Sequence, residues 1–363
     1  MAIRLYVGTY TTILGHVHGQ GEGIYRYDVD PASGQLTHRG TTPGVVNPSY
    51  LALDPRQRFL FAANEVKEVD GQPGGSVSAF AIDRATGGLT YLNRQSTIGT
   101  DPCYLCVDRT GRCVLASNYS SGSVVAFLVG DDGRLTPATD FVQHSAAEYN
   151  PKPPPGPHSH SVNLSPDERF ALVAELGLDA VVVYRLNVET GKLTPNDPPS
   201  AQLKRGAGPR HFDFTPDGRH VYVINEQDLT MTAFAYDATR GALREIQTLP
   251  TLPAGVTGRN STADVHVHPS GRFVYGSNRG HDSIVIFGID PASGRLSLVG
   301  HESTRGHTPR NFAIDPSGAM LYAANQDTHT VVSFRIDAET GRLTPTGQVT
   351  EVPSPACLKF SVV

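Results

Sequence analysis

The chain has 363 residues, 39% of them apolar, with 37 Gly, 27 Pro and no Trp, a composition of turns and short strands that argues against a helical bundle. A net charge of −5 without a basic run excludes nucleic acid as a general partner, because phosphate binding needs clustered Lys and Arg. No apolar run reaches about 18 residues, which excludes a membrane-spanning helix.

In chain order, the first elements are strands: IRLYVGTYTT, GIYRYDVD and QLTHRG. MAIRLYVGTY lacks the positive start, apolar stretch and cleavage site of a secretory signal. The four cysteines, Cys103, Cys106, Cys113 and Cys357, form no disulfide framework, so a cytoplasmic location is expected. One phrase then returns six times, a short apolar strand, a Pro/Asp/Gly turn and a second strand usually ending in Asn. The copies are PSYLALDPRQRFLFAAN (48–64), PCYLCVDRTGRCVLASN (102–118), SHSVNLSPDERFALVAE (159–175), PRHFDFTPDGRHVYVIN (209–225), TADVHVHPSGRFVYGSN (262–278) and PRNFAIDPSGAMLYAAN (309–325). A third strand and a fourth follow each copy. Four antiparallel strands in units spaced 47 to 57 residues apart are the pattern of propeller blades. The closing SPACLKFSVV supplies the first strand of a seventh unit whose other strands are the N-terminal ones, which buries both open edges. The sequence thus predicts an all-β, seven-bladed β-propeller, one domain over 1–363, closed by pairing its two ends. YNPKPPPGP at 149–157 is too stiff for a strand and is expected to be a loop at the rim.

Within a blade the start of the first strand and the end of the second lie at the same face. Aligned on the turn, the first position reads Ser49, Cys103, His160, Arg210, Ala263 and Arg310, and the next reads Tyr50, Tyr104, Ser161, His211, Asp264 and Asn311. After the second strand stand Glu65, Tyr119, Leu176, Glu226, Arg279 and Gln326. These positions vary in chemistry while the strand interiors repeat, and variable positions at one end of a rigid scaffold are where function is written. The Asn that ends five second strands, expected to bond nearby backbone, is replaced by Glu175 beside GPHSH.

His158 and His160, then Arg210, His211 and Glu226, then Asp264, His266 and Arg279 fall in three successive units. Guanidiniums hold carboxylate or phosphate in two-pronged fashion, and His and Glu exchange protons. The bland alternative is a hydrated, inert polar mouth. PHSH and VHVHP each place two imidazoles on one strand face, but no companion ligand is evident and His268 occupies the turn position, so no metal and no cofactor are expected. GQGEG at 19–23 lacks the helix a phosphate loop needs, Cys103 and Cys106 face opposite sides of a predicted strand and so make neither a redox pair nor a zinc half-site, and no G-x-S-x-G elbow occurs.

GPHSH, GPRHFDFTPDGRHVYVINE, ADVHVHPSGRFVYGSNRG and TPRNFAIDPSG resemble the propeller lactonase family, which includes propeller-type 6-phosphogluconolactonases and 3-carboxy-cis,cis-muconate cyclases. The likeness runs through the whole chain. It implies a catalytic set of His160, Arg210, Glu226 and Arg279, with His158 as the alternative for the first; from their place at the mouth, His158, Glu175, His211, Asp264, His266 and Arg310 are expected to contact the substrate. It also implies hydrolysis of a small anionic lactone, foremost 6-phosphogluconolactone, with Arg210 and Arg279 on the phosphate or the oxyanion and Glu226 or His160 as base. Muconate lactonisation on the same arginines and a non-catalytic binding propeller are the alternatives. A monomer or weak homo-oligomer is expected.

Overall fold

In the computed structural model, residues 3–145 and 156–362 are described; the greater part of the rim loop expected at 149–157 lies outside them. Among the described residues the chain forms seven four-stranded sheets, two two-stranded hairpins and no α-helix. The Asp, Ser or Thr that opens the turn in five of the six copies, with His268 in its place in the other, explains why those five fold alike. Asp108 Oδ1 accepts the backbone N–H groups of Arg112 and Cys113, both at 2.7 Å, and Asp315 Oδ1 accepts that of Met320 at 2.8 Å. Ser165 and Thr215 do the same through hydroxyl oxygens for Phe170 and His220, each at 3.1 Å. Each such bond sets where the second strand begins.

The second strands, such as Phe59–Asn64 and Phe170–Glu175, are buried along their whole length, whereas fourth strands such as Leu89–Ser96 alternate toward solvent. Burying a side chain such as Phe61 contributes roughly 1.5–3 kcal/mol.

The chain divides into two compact units. The first comprises Met1–Thr41, Arg210–Asp237 and Leu243–Val363 and contains the sheet that joins the chain ends. There Pro355–Val362 pairs with Ile3–Thr9, which pairs with Gly23–Val29, in the register Ile3↔Val362 and Val7↔Leu358. Leu5, Val7, Tyr27, Tyr322 and Leu358 share one core cluster, so the expected closure is what the structure shows. The second unit comprises Thr42–Pro209 and Ala238–Ala242 and holds three of the sheets, with Tyr50 and Tyr104 stacked at 4.0 Å between two of them.

Four first strands share a feature that the repeat does not announce. The register slips at the first ring position: Pro48 pairs with Asn64 but Tyr50 with Ala63, and the same slip skips Cys103, His160 and Arg310. A β-bulge leaves the extra residue out of the ladder and re-aims its side chain. The terminal Asn tie is present in four copies, where Asn64, Asn118, Asn278 and Asn325 donate to the carbonyls of Val46, Thr97, Thr251 and Thr304. Asn225 instead bonds the hydroxyls of Thr230 and Thr232.

Candidate active site

In the first unit Arg210, Glu226 and Arg279 meet. Arg210 follows directly on Pro209, at the first ring position, and is 2% exposed. Its Nε lies 3.1 Å from Glu226 Oε2, and its Nη1 donates to the carbonyl of Ala263. Arg279, the last residue of Phe273–Arg279, places Nη2 2.9 Å from Glu226 Oε1 and 2.6 Å from the carbonyl of Thr262. Arg310, on its bulge, lays its guanidinium over Tyr10, 5.1 Å from the ring centroid.

Burial pushes Arg210 down to about 10, helped by Arg279, which leaves it cationic at neutral pH. Burial alone would raise Glu226, but Arg279 and Arg210, then Arg310, hold it below the ordinary carboxylate range. Three guanidiniums thus act on one carboxylate, an arrangement that favours an anion or a developing oxyanion.

His211, Asp264 and His266 form a second layer behind Arg210. Arg210 Nη1 is 3.3 Å from His211 Nε2, while His211 Nδ1 is 2.7 Å from Asp264 Oδ1. His266 Nε2 is 3.0 Å from Asp264 Oδ2, which also accepts from Asn311. Burial, then Arg210, lowers His211 to about 4, so the ring is neutral and donates from Nδ1 while Nε2 accepts. Burial would raise Asp264, yet His266 and His211 hold it well below its usual value. His211 and Asp264 are 4% and 1% exposed. In this arrangement they support Arg210 from behind.

In the second unit Glu175 takes the place of the tying Asn and is 0% exposed. Its Oε1 accepts the backbone N–H of His158, and its Oε2 lies 2.6 Å from His144 Nδ1 and accepts from the Ser159 hydroxyl. Both oxygens of Glu175 are thus engaged inside the blade, where they position His144, His158 and Ser159. His158 stacks on Tyr119 at 4.8 Å and its Nδ1 is 3.0 Å from the Tyr119 carbonyl. His160 meets the same ring edge-on at 5.3 Å, with Cys103 Sγ 3.7 Å from its Nδ1.

Sequence reasoning passed over two histidines. One is His144, the partner of Glu175. The other is His16, in the hairpin of Ile13–Leu14 and Val17–His18, which feels Arg310, Arg279, Arg210 and Glu226. The available clue was length: Ile3–Thr9 and Gly23–Val29 are separated by 13 residues, against four between Asn118 and Ser123 in a plain blade. Among the described residues no group of three or more His, Cys, Asp or Glu is arranged to hold a metal ion, and no helix is long and apolar enough to cross a membrane.

The family model described as lactonase, seven-bladed β-propeller, matches residues 4–360. A 6-phosphogluconolactonase of Bacillus subtilis is 37% identical over 85% of this chain and 84% of its own length. One of Formosa agariphila is 33% identical over 86% of each. Among solved structures, the periplasmic gluconolactonase PpgL of Pseudomonas aeruginosa matches with a TM-score of 0.91 at 35% identity over 100% of both chains. The seven sheets are therefore the blades of a seven-bladed β-propeller.

Proposed function

Because the chain belongs to the seven-bladed β-propeller lactonase family, we propose that it hydrolyses a sugar lactone, with 6-phosphogluconolactone as the substrate. The observation that carries this reading is the set of Arg210 and Arg279 held on Glu226, with Arg310 acting on the same carboxylate. Water adds to the lactone carbonyl, negative charge develops on the carbonyl oxygen, and the ring C–O bond breaks to leave an alcohol and a carboxylate. Guanidiniums fixed before the reaction stabilise that charge without reorganising, and they bind a phosphate with the same geometry. Glu226, clamped below the carboxylate range, holds the arginines rather than serving as base. The proton therefore falls to an imidazole.

A second reading, hydrolysis of the unphosphorylated gluconolactone, is favoured by PpgL, whose name carries that substrate and a periplasmic location. The relatives described above are named for lactone hydrolysis, so muconate lactonisation is not retained. A cytoplasmic location and a single cooperative domain, monomeric or weakly self-associating, complete the proposal.

The test follows lactone opening at neutral pH and low temperature, after subtraction of the spontaneous rate, with chelator present. Acceleration that vanishes in Arg210→Ala supports the site; equal acceleration by that variant would place the chemistry elsewhere.

A further inference from the structure

The hairpin that carries His16 is a built part of the first unit. Gly19 N–H bonds the Thr12 carbonyl at 3.1 Å, Gly21 N–H the Tyr10 carbonyl at 2.8 Å, and Tyr10 N–H the Ser354 carbonyl at 3.1 Å. A Cβ on Gly19 would stand 2.3 Å from the Thr12 carbonyl oxygen, and one on Gly21 2.1 Å from Thr9 Oγ1. The glycines of GQGEG thus let the hairpin cross back over its own base. Val17 packs with Tyr10 and Ala356 in a small core, with Leu14 against it. What this anchored hairpin presents at its tip is an exposed imidazole, His16, seated edge-on against Tyr10 with centroids 5.4 Å apart. Arg310 lies over the same ring, 5.1 Å from its centroid, so His16 and Arg310 both pack on Tyr10. Beside His16 opens a cavity of about 530 Å³ bordered by Gln20, Gln326, Asp327 and His329, within the size range of small-ligand sites.

We propose that His16 is the general base of the lactone hydrolysis: it takes the proton of the attacking water and returns it to the ring oxygen as the C–O bond breaks. This deepens the lactonase reading and rests on it. The charged groups whose fields reach His16 are Arg310, Arg279, Arg210 and Glu226, while His18, Asp327 and His329 line the cavity beside it. The protein mass around the ring, then Arg310, Arg279 and Arg210, lower it to about 4, so it is a neutral acceptor at pH 7 even though its outer edge meets water. An anionic substrate among the arginines offsets their field and makes the bound enzyme's imidazole more basic than the free enzyme's.

The test is steady-state kinetics on 6-phosphogluconolactone between pH 4 and pH 8 for the full chain, His16→Ala and His160→Gln, with thermal unfolding to confirm that each variant is folded. The expected results for His16→Ala are a kcat loss of about 10²–10⁴-fold with a much smaller change in KM, and partial rescue by added imidazole. In the unmodified protein the acid limb of kcat should lie at higher pH than that of kcat/KM, and it should vanish in His16→Ala. A His16→Ala variant that keeps kcat and the limb, or a limb lost in His160→Gln alone, overturns the proposal while leaving the lactonase reading intact. An unmodified protein that opens no sugar lactone defeats the lactonase reading and this proposal together.

Discussion

Glu226 Oε1 lies 2.9 Å from Arg279 Nη2, and the carboxylate's other oxygen is 3.1 Å from Arg210, so one acidic side chain spans two guanidiniums from different sheets. Its function as an anchor separates it from a base. Glu226→Gln should retain turnover within about 100-fold of the unmodified protein, because the amide keeps shape and one acceptor. Product inhibition by 6-phosphogluconate should strengthen at low ionic strength, since a negative charge is gone from among three arginines. Complete loss of turnover together with the acid limb of the pH profile would make Glu226 the base instead.

His211 predicts how stability depends on pH. The unfolded chain protonates this imidazole near its ordinary pKa of about 6.5, while the folded protein refuses the proton until about 4. The unfolded state therefore binds more protons in that window, and stability falls as pH falls through it, by about 2 kcal/mol between pH 7 and pH 5. His266, raised by Asp264 against the effect of burial, acts above the window, and Asp264 below it. Burial also lowers His220 and His301, so His211→Gln should reduce the slope without abolishing it. Urea midpoints at the two pH values measure this; an unchanged slope would mean His211 is protonated in the folded state.

Glu175 and His144 form a coupled replacement of the Asn tie. In other copies Asn118, Asn278 and Asn325 donate to the carbonyls of Thr97, Thr251 and Thr304. His144 occupies the corresponding position, its N–H bonding the Gly122 carbonyl as Thr97 N–H bonds that of Gly75. Glu175→Asn alone should cost about 3–5 kcal/mol, because it leaves buried His144 and Ser159 without their acceptor. Adding His144→Thr should recover a large part of that loss. Additive losses in a double-mutant cycle would show that the two residues do not act as a pair.

The joined ends predict a stability effect far from any ligand. Leu358 is 2% exposed, packs in the cluster of Leu5 and Val7, and donates its backbone N–H to Asn311 Oδ1 at 2.8 Å. Leu358→Ala should destabilise by about 2–5 kcal/mol, read as a lowered denaturation midpoint. A change below about 0.5 kcal/mol would mean the last strand is frayed rather than part of the core.

The fold was legible because its causes are local and repeated. Asp54, Asp108, Ser165, Thr215 and Asp315 each stand before a turn and bond the strand beyond it, and five copies of one cause reveal the pattern. Arg210, Glu226 and Arg279 were legible because they break the repeat at one end of their strands. The run of contacts from Arg210 through His211 to Asp264 was not legible, because contacts between neighbouring strands leave no mark on either sequence. His16 escaped because it lies in a hairpin outside the repeat, and only the length of that connection marks it. His144 escaped because its meaning comes from Glu175, 31 positions away.

The central claim is that the arginine set opens an anionic sugar lactone. Its most direct test is kcat/KM for 6-phosphogluconolactone and for gluconolactone with the unmodified protein and Arg279→Gln. The unmodified protein should prefer the phosphorylated lactone by at least about tenfold, and Arg279→Gln should lose about 100-fold or more on it, consistent with loss of a charge-assisted contact in the transition state. Full activity of Arg279→Gln on either lactone would contradict it.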